Sequence, residues 1–230
     1  MSDPVTILLV RHARSTANTQ GKLAGRMPGV SLDEKGREQA EELRLRLAGV
    51  PITVAVSSPL ERTVQTAETL VRGTGVPLRK DRRLTECDYG EWTGRSLKSL
   101  ARRKLWSQVQ SHPSAVRFPA GESMTEMQSR AVSAVRSLVD ELAALRTPGP
   151  RTALVVSHAD VIKAILADAL GMHLDMIQRI VVDPCSVSVV RYTPQRPFVE
   201  RMNDSVTPLE ALTRSPQSQG HAIVGGGAGK

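Results

Sequence analysis

The sequence contains little cysteine. Cys87 and Cys185 are the two cysteines among 230 residues. Two thiols are too few for a disulfide framework, and neither has further ligand residues at the spacing of a metal site. This scarcity excludes a disulfide-stapled secreted domain and predicts free thiols in a protein of the reducing cytoplasm.

Aromatic residues are also scarce, with two Phe, two Tyr and two Trp in the whole chain. The net charge is +8, and 24 of the 31 basic residues are arginine. The basic residues are interspersed with acidic ones, as in Arg37-Glu38 and Glu61-Arg62. Without a basic tract or aromatic platforms for base stacking, a nucleic-acid partner is disfavoured.

Long hydrophobic runs are missing as well. The longest apolar run near the N-terminus, residues 5–10, is too short to span a membrane, and it follows Asp3 and Pro4 rather than a basic leader. We therefore expect no membrane partner. The hydrophobic content of 40% is nevertheless sufficient for a substantial core.

Short aliphatic runs alternate along the chain with amphipathic segments. Strands are expected at residues 6–10, 52–56, 152–156, 179–182 and 186–192. Helices are expected at residues 34–48 after an Asp33 N-cap, from a Ser57-Ser58-Pro59 cap to residue 72, at 97–110, from a Ser123 capping box onward, and at 160–170. The alternation predicts one three-layer α/β/α sandwich with a mostly parallel central sheet and helices on both faces.

The domain is expected to cover residues 1–204. Within it, residues 95–121 form a small helical insertion that would lie over the ligand pocket as a lid. From about Asp204 the composition shifts to Ser, Thr, Pro, Gln and Gly, so residues 205–230 are predicted to be a disordered tail.

Charged and polar residues follow the buried strands directly. Arg11-His12 follows the first strand and Ser157-His158 follows a later one, while Arg62 lies near the start of the helix after the second strand. Because ligand sites of parallel α/β folds lie at the carboxyl ends of the strands, these side chains should converge there. Two imidazoles and two guanidiniums beside helix N-termini form a pocket for an anion.

Four segments, in this order, resemble the histidine phosphatase superfamily, the phosphoglycerate-mutase-like enzymes. They are "LVRHARSTAN" (residues 9–18), "SSPLERTVQTA" (57–67), "LTECDYGEWTG" (84–94) and "VVSHADVI" (155–162). The resemblance extends over nearly the whole chain before the tail. Within the superfamily, the pattern is similar to an actinobacterial branch of phosphomutases and phosphatases.

The resemblance implies a role for each matched residue. His12 would be the nucleophile that becomes phosphohistidine, and Glu86 the proton donor, with Asp88 and Glu91 as its rivals in the same segment. Arg11, Arg62 and His158 would neutralise the transferred phosphoryl group. Ser15 and Asn18 would supply neutral donors. No metal or other cofactor is implied.

The chain departs from the family pattern at several positions. Ala13 and Ala159 replace the glycines usual after each histidine. The methyl group at each site, including the substrate-binding position Ala159, is expected to tighten the approach of a phosphate to the backbone N–H groups and to reduce activity. Arg14 stands where relatives often carry Glu or Gln, and it either adds a third cation to the pocket or faces solvent. Arg26, in a glycine-bearing loop, is a further substrate contact or an ordinary exposed arginine.

These observations predict a metal-independent phosphatase that acts on a phosphorylated small-molecule substrate. A phosphomutase and a phospho-ligand-binding protein of low activity are the alternatives. A mutase must retain its released intermediate and exclude water, and the neutral, flexible composition of the tail favours hydrolysis instead. Apolar strand ends at residues 187–190, expected to be exposed, make a homodimer conceivable.

Overall fold

A mixed six-stranded sheet forms the centre of the fold. The structure is a computed structural model and describes residues 3–146, 148–149 and 151–205. The strands are β1 (Val5–Arg11), β2 (Val54–Ser57), β3 (Leu78–Lys80), β4 (Thr152–Ser157), β5 (Val187–Tyr192) and β6 (Pro197–Asp204). The helices are α1 (Thr16–Thr19), α2 (Glu34–Arg46), α3 (Glu61–Val71), α4 (Leu97–Leu100), α5 (Lys104–Ser111), α6 (Met124–Ala143) and α7 (Ala159–Leu170).

The strand order is β3-β2-β4-β1-β5-β6. The first four strands in this order pair in parallel, whereas β5 is antiparallel to both β1 and β6. The expected α/β fold with a mostly parallel sheet is therefore confirmed. The antiparallel part is confined to the C-terminal edge.

Each central strand is apolar on both faces because each face packs against a layer of helices. In β1, Ile7 and Leu9 belong to the core under α6 and α7, and Leu8 and Val10 to the core under α2 and α3. Successive side chains of a strand point to opposite faces, so a strand covered on both sides needs a continuous aliphatic run.

Two helix starts predicted from capping residues are confirmed, and one is wrong. Asp33 accepts a hydrogen bond from the Gly36 N–H, and Ser123 forms a capping box with Glu126. The segment Ser57-Ser58-Pro59, by contrast, does not cap α3, whose N-cap is Leu60. The Ser58 hydroxyl instead bonds to the ring of His158.

The predicted strand at residues 179–182 is wrong. Ile180 and Val182 are buried, so the apolar run was a correct sign of burial, but the segment is irregular and follows a 3₁₀ turn at Leu174–Arg179. The Val182 carbonyl accepts a hydrogen bond from the Arg11 guanidinium rather than from a neighbouring strand. A short apolar run does not by itself distinguish a strand from a buried loop.

The predicted helix at residues 97–110 is broken into α4 and α5. Leu100 and Val109 are both fully buried, yet they are nine residues apart and would lie on opposite sides of a continuous helix with about 3.6 residues per turn. The break at residues 101–103 lets both side chains reach the core.

The sheet also contains two edge strands that the sequence patterns did not reveal, β3 and β6. β6 begins with Pro197 and is largely exposed, as is common for an edge strand. It pairs with β5, whose Val187 and Val190 are buried in the cores on the two faces of the sheet, so the expectation of exposed apolar strand ends is wrong. That basis for a homodimer falls away.

The helical insertion at residues 95–121 is anchored in the core. Leu100, Val109, Val116 and Phe118 are buried, and the ring of Trp106 stacks on that of Trp92 with 6.1 Å between centroids. Its action as a lid stays a prediction. The predicted disordered tail lies, apart from Ser205, outside the described residues. Within the described residues, no helix is long and apolar enough to cross a membrane.

Candidate active site

Two imidazoles meet at the carboxyl edge of the sheet because β1 and β4 pair in register. Arg11 lies opposite Ser157, so the next residues, His12 and His158, are neighbours. Their ring centroids are 5.3 Å apart, and both side chains are buried. The His12 N–H also donates to the Ser157 carbonyl over 2.9 Å, which extends the ladder to the site itself.

Arg62 connects the two rings. It lies in the first turn of α3, after the strand β2 that neighbours β4, and only 1% of its surface is exposed. Its Nε donates to Nε2 of His12 over 3.3 Å, and its Nη2 lies 3.2 Å from Nδ1 of His158. Nη2 also donates to the Gly25 carbonyl, whereas the buried Nη1 has no hydrogen-bond partner.

These contacts fix the proton positions on both rings. Nδ1 of His12 lies 2.8 Å from the Ala13 carbonyl, an acceptor, so Nδ1 carries the proton and Nε2 the lone pair. Because an arginine can only donate, Nδ1 of His158 is unprotonated, and its Nε2 donates to the Ser58 hydroxyl over 2.9 Å. Both rings are therefore neutral.

Burial and nearby cations explain that neutrality. Desolvation, followed by the charges of Arg62 and Arg11, holds the pKa of His12 well below its usual value, and the pKa of His158 is lowered in the same way. Burial also lowers the pKa of Arg11 to about 10, so its guanidinium stays charged at neutral pH. The site thus combines cations with a neutral, unprotonated imidazole nitrogen.

Glu86 is the buried carboxylate of the site, with 4% of its surface exposed. Desolvation and the charge of Asp160 raise its pKa to about 7, against the opposing effects of the Cys87 N–H, Arg62 and Arg11. Its rivals differ from it: Asp88 binds the Gly90 N–H and Arg26, and Glu91 is exposed. A pKa near 7 suits a group that must both give and take a proton.

The other residues singled out from the sequence take varied positions. Asn18 Oδ1 accepts from the N–H and the hydroxyl of Ser15, so an anion contact by Asn18 would use its NH2 group. Ala159 is buried in the first turn of α7. The Ala13 N–H donates to the Thr66 hydroxyl, so it is already engaged within the protein.

Neither of the two additional arginines offers an unpaired charge to the pocket. Arg14 forms an ion pair with Asp33 over 2.8 Å at the start of α2. Arg26 pairs with Glu122 and Asp88, and its Nε donates to the Glu86 carbonyl over 3.0 Å. A direct role for either cation in substrate binding stays a prediction.

Several residues of the site region escaped the sequence reasoning. Beneath the site, Asp160 accepts from the Tyr89 hydroxyl over 2.7 Å and lies 3.6 Å from the ammonium of Lys163, all three being fully buried. Charges three residues apart on a helix usually mark a solvated face, so no local signal revealed them.

Among the described residues, no group of three or more His, Cys, Asp or Glu is placed to hold a metal ion.

Two buried histidines lie at the ends of adjacent parallel strands, with a guanidinium bonded to both, so the site joins a cation to an unprotonated imidazole nitrogen. The model of the histidine phosphatase superfamily (branch 1) matches residues 7–205. The chain belongs to this superfamily and is an enzyme of it, which confirms the resemblance seen in the sequence.

Its relatives include enzymes of two activities. Phosphoserine phosphatase 1 of Hydrogenobacter thermophilus is 28% identical over 204 residues, which are 86% of this chain and 92% of that protein. A "probable phosphoglycerate mutase GpmB" of Cronobacter sakazakii is 33% identical over 192 residues, which are 81% of this chain and 84% of that protein. The relatives are thus phosphatases and proteins named as phosphomutases.

Solved structures agree with this fold. YhfR of Bacillus stearothermophilus superposes with a TM-score of 0.79 at 28% identity, covering 87% of this chain and 97% of that one. A mycobacterial glucosyl-3-phosphoglycerate phosphatase gives a TM-score of 0.78 at 22% identity, and the superposition covers 88% of this chain and 100% of that one. At that identity the likeness concerns the fold alone.

Proposed function

We propose that this chain is a metal-independent phosphatase that hydrolyses phosphate monoesters of a small metabolite through a phosphohistidine on His12. The observation that carries the proposal is the position of Arg62, which donates to the lone pair of His12 and also contacts His158. A phosphate bound against this guanidinium lies beside a buried cation and has the unprotonated Nε2 of His12 next to its phosphorus.

The first step transfers the phosphoryl group to the enzyme. Nε2 of His12 attacks phosphorus in line with the leaving oxygen, so that an N–P bond forms as the P–O bond breaks. The carboxyl group of Glu86 gives its proton to the departing oxygen and becomes a carboxylate. Arg11 and Arg62 stabilise the charge on the equatorial oxygens, together with His158 when its Nε2–H exchanges the Ser58 hydroxyl for a phosphate oxygen. The NH2 group of Asn18 is a neutral donor, and Ser15 orients that group through its two hydrogen bonds to Asn18 Oδ1.

The second step returns the enzyme to its starting state. The Glu86 carboxylate takes a proton from water, the water oxygen attacks phosphorus, and the N–P bond breaks to release inorganic phosphate. One water is consumed for each ester cleaved, and Glu86 ends protonated as it began. A pKa of about 7 for Glu86 allows both directions of proton transfer near neutral pH.

Hydrolysis of a small phosphorylated metabolite is supported by the name of one relative, phosphoserine phosphatase 1, which is 28% identical. The second candidate is a phosphomutase, which the relative at 33% identity favours by its name. Membership of an actinobacterial branch stays a prediction, as do the cytoplasmic location and the absence of a nucleic-acid partner.

A turnover assay tests the proposal. Purified protein is incubated with p-nitrophenyl phosphate from pH 5 to 8 in EDTA, beside His12→Ala. Turnover that persists in EDTA and disappears in the variant supports a metal-independent phosphatase, whereas ligand binding without turnover identifies the low-activity binding protein. Rapid acid and alkaline quenching should find an acid-labile phosphoenzyme, and its absence during turnover contradicts the mechanism.

A second assay distinguishes phosphatase activity from phosphomutase activity. A panel of phosphorylated metabolites, including 3-phosphoglycerate, is scored for release of inorganic phosphate and for isomerised product. We expect phosphate release to dominate. Conversion to 2-phosphoglycerate faster than phosphate release would establish the mutase instead.

A further inference from the structure

One side chain from a distant helix binds several backbone carbonyls around Glu86, and Arg26 adds a single bond to the Glu86 carbonyl over 3.0 Å. Arg130, in α6, donates from Nη1 to the carbonyls of Arg83 and Thr85 over 2.6 Å each, and from Nη2 to the Glu86 carbonyl over 3.2 Å. Three carbonyl oxygens of one short segment therefore converge on a single guanidinium. Carbonyl dipoles aimed at one point repel each other unless a cation lies between them.

Arg130 is itself held in place by Glu122. Its Nε donates to Oε2 of Glu122 over 3.0 Å and its Nη2 to Oε1 over 2.5 Å, a paired arrangement that fixes the plane of the guanidinium. The two side chains are mostly buried, with 19% and 14% exposed. Glu122 also accepts from the Asp88 N–H over 2.8 Å, two residues beyond Glu86.

We propose that Arg130 is a positioning residue that holds the carboxyl group of Glu86 in line for proton transfer to the leaving oxygen. Resting on the role proposed above for Glu86, this inference adds a residue outside all four family-like segments. Arg130 fixes the peptide units on both sides of the Glu86 Cα, while the Cys87 N–H binds its Oε1 over 3.0 Å. Together they set the backbone and the carboxyl orientation.

Only a guanidinium can bind the three carbonyls and the Glu122 carboxylate at the same time. Its five N–H donors lie in one rigid plane, which lets it bind three carbonyls and one carboxylate together. A lysine has three donors on a single nitrogen and cannot reach all four groups. A purely structural role, joining α6 to this segment, predicts a loss of stability and nothing specific to proton transfer.

The leaving group distinguishes the two roles. p-Nitrophenolate is a weak base that departs without a proton, whereas the alkoxide of an alkyl phosphate such as glycerol phosphate needs one. The value of kcat/KM covers steps up to phosphoryl transfer to His12, so it reports proton donation for the alkyl ester alone. A misplaced donor therefore lowers kcat/KM selectively for glycerol phosphate.

The experiment compares kcat/KM for both esters in Arg130→Met, Arg130→Lys and Glu86→Gln. Arg136→Met is the matched control, because Arg136 lies on the same helix and pairs at the surface with Asp168. We expect Glu86→Gln to lose about 10²-fold or more on glycerol phosphate and little on the aryl ester. Arg130→Met should lose about 10- to 10²-fold on glycerol phosphate and less than about threefold on the aryl ester.

Arg130→Lys should show the same selectivity with a smaller loss, and it provides the test if Arg130→Met does not fold. Equal losses on both esters in the Arg130 variants, or no loss, overturn the positioning role if Glu86→Gln remains selective. If Glu86→Gln is itself unselective, the role proposed for Glu86 fails, and the role of Arg130 fails with it. Arg136→Met should match the parent on both esters.

Discussion

Nε of Arg62 lies 3.3 Å from Nε2 of His12, with the hydrogen directed at the lone pair that the reaction requires. The Arg62 guanidinium therefore lies along the direction in which the Nε2 lone pair of His12 points. Since its Nη2 also lies 3.2 Å from Nδ1 of His158, one side chain fixes the position of both rings.

Replacing Arg62 by lysine should lower kcat by about 10²- to 10³-fold, because one ammonium cannot serve both imidazoles and the Gly25 carbonyl. Steady-state kinetics measure the loss. Arg44→Lys is the control, since Arg44 pairs with Glu41 on α2 away from the site. An Arg62→Lys variant within threefold of the parent would contradict the role given to Arg62.

The pH dependence of kcat/KM should follow Glu86. Its protonated form is the donor, so with a pKa of about 7, kcat/KM for an alkyl phosphate should fall about tenfold per pH unit well above 7. His12 should add no limb between pH 6 and 8, because its pKa is held well below its usual value. A profile of Glu86→Gln that retains the alkaline limb would assign that limb to another group.

The free energy of unfolding should also depend on the ionisation of the Glu86 carboxyl group. Folding raises the pKa of Glu86 from 4.5 to about 7, so its contribution to stability is fully present below pH 4.5 and is lost as the pH rises from 4.5 through 7. Between low pH and pH 8 the stability of Glu86→Gln should therefore shift in its favour, relative to the parent, by about 3 kcal/mol, since each pKa unit corresponds to about 1.4 kcal/mol. Denaturant titrations at pH 4.5 and 8 measure the change, and a constant difference between the two proteins would refute it.

A third region, the loop at Gly25, should be sensitive to a single methyl group. Gly25 has a φ of +50°, and a Cβ there would lie 2.9 Å from Thr93 Oγ1 and 3.0 Å from Tyr89 Cδ2, while its carbonyl accepts from Arg62. Gly25→Ala should thus displace this carbonyl and lower kcat by about 10- to 10²-fold.

Gly21→Ala is the matched control for this loop. Gly21 has a φ of +60°, but a Cβ there meets no atom within 4 Å. It should lose about 1–2 kcal/mol of stability from the left-handed backbone and keep its kcat. Thermal melts and steady-state rates distinguish the two effects, and equal kcat values for both variants would show that the Gly25 carbonyl does not matter.

Local sequence patterns were sufficient where chemistry follows a buried strand. The aliphatic runs before His12 and His158 predicted strands, and the rule for parallel sheets brought their ends together. Ser58 shows the limit. A serine before Pro59 looks like a helix cap, but its hydroxyl is used by His158, one hundred residues further along the chain.

The positions of the charged residues around Glu86 and beneath the histidines could not be predicted from the sequence either. Arg130 looks like an ordinary surface arginine in the sequence, and Arg26 like a substrate contact or an exposed arginine, whereas the folded chain brings both to the Glu86 carbonyl. Lys163 and Asp160 have a helical spacing that is common on exposed faces. Hydrogen bonds between segments distant in sequence leave no periodic signal, so they could not be inferred from composition or spacing.

The register of β1 with β4 has a consequence for how such enzymes diversify. Side chains alternate between faces along a strand, so inserting one residue into either strand would turn its histidine away from the other. The connecting loops that carry no residue of the site are under no such constraint, since a change in their length leaves the register of β1 with β4 and the positions of Arg62 and Glu86 unaltered. Insertions that reshape substrate selection can therefore accumulate in the connecting loops while the reacting pair of rings is inherited intact.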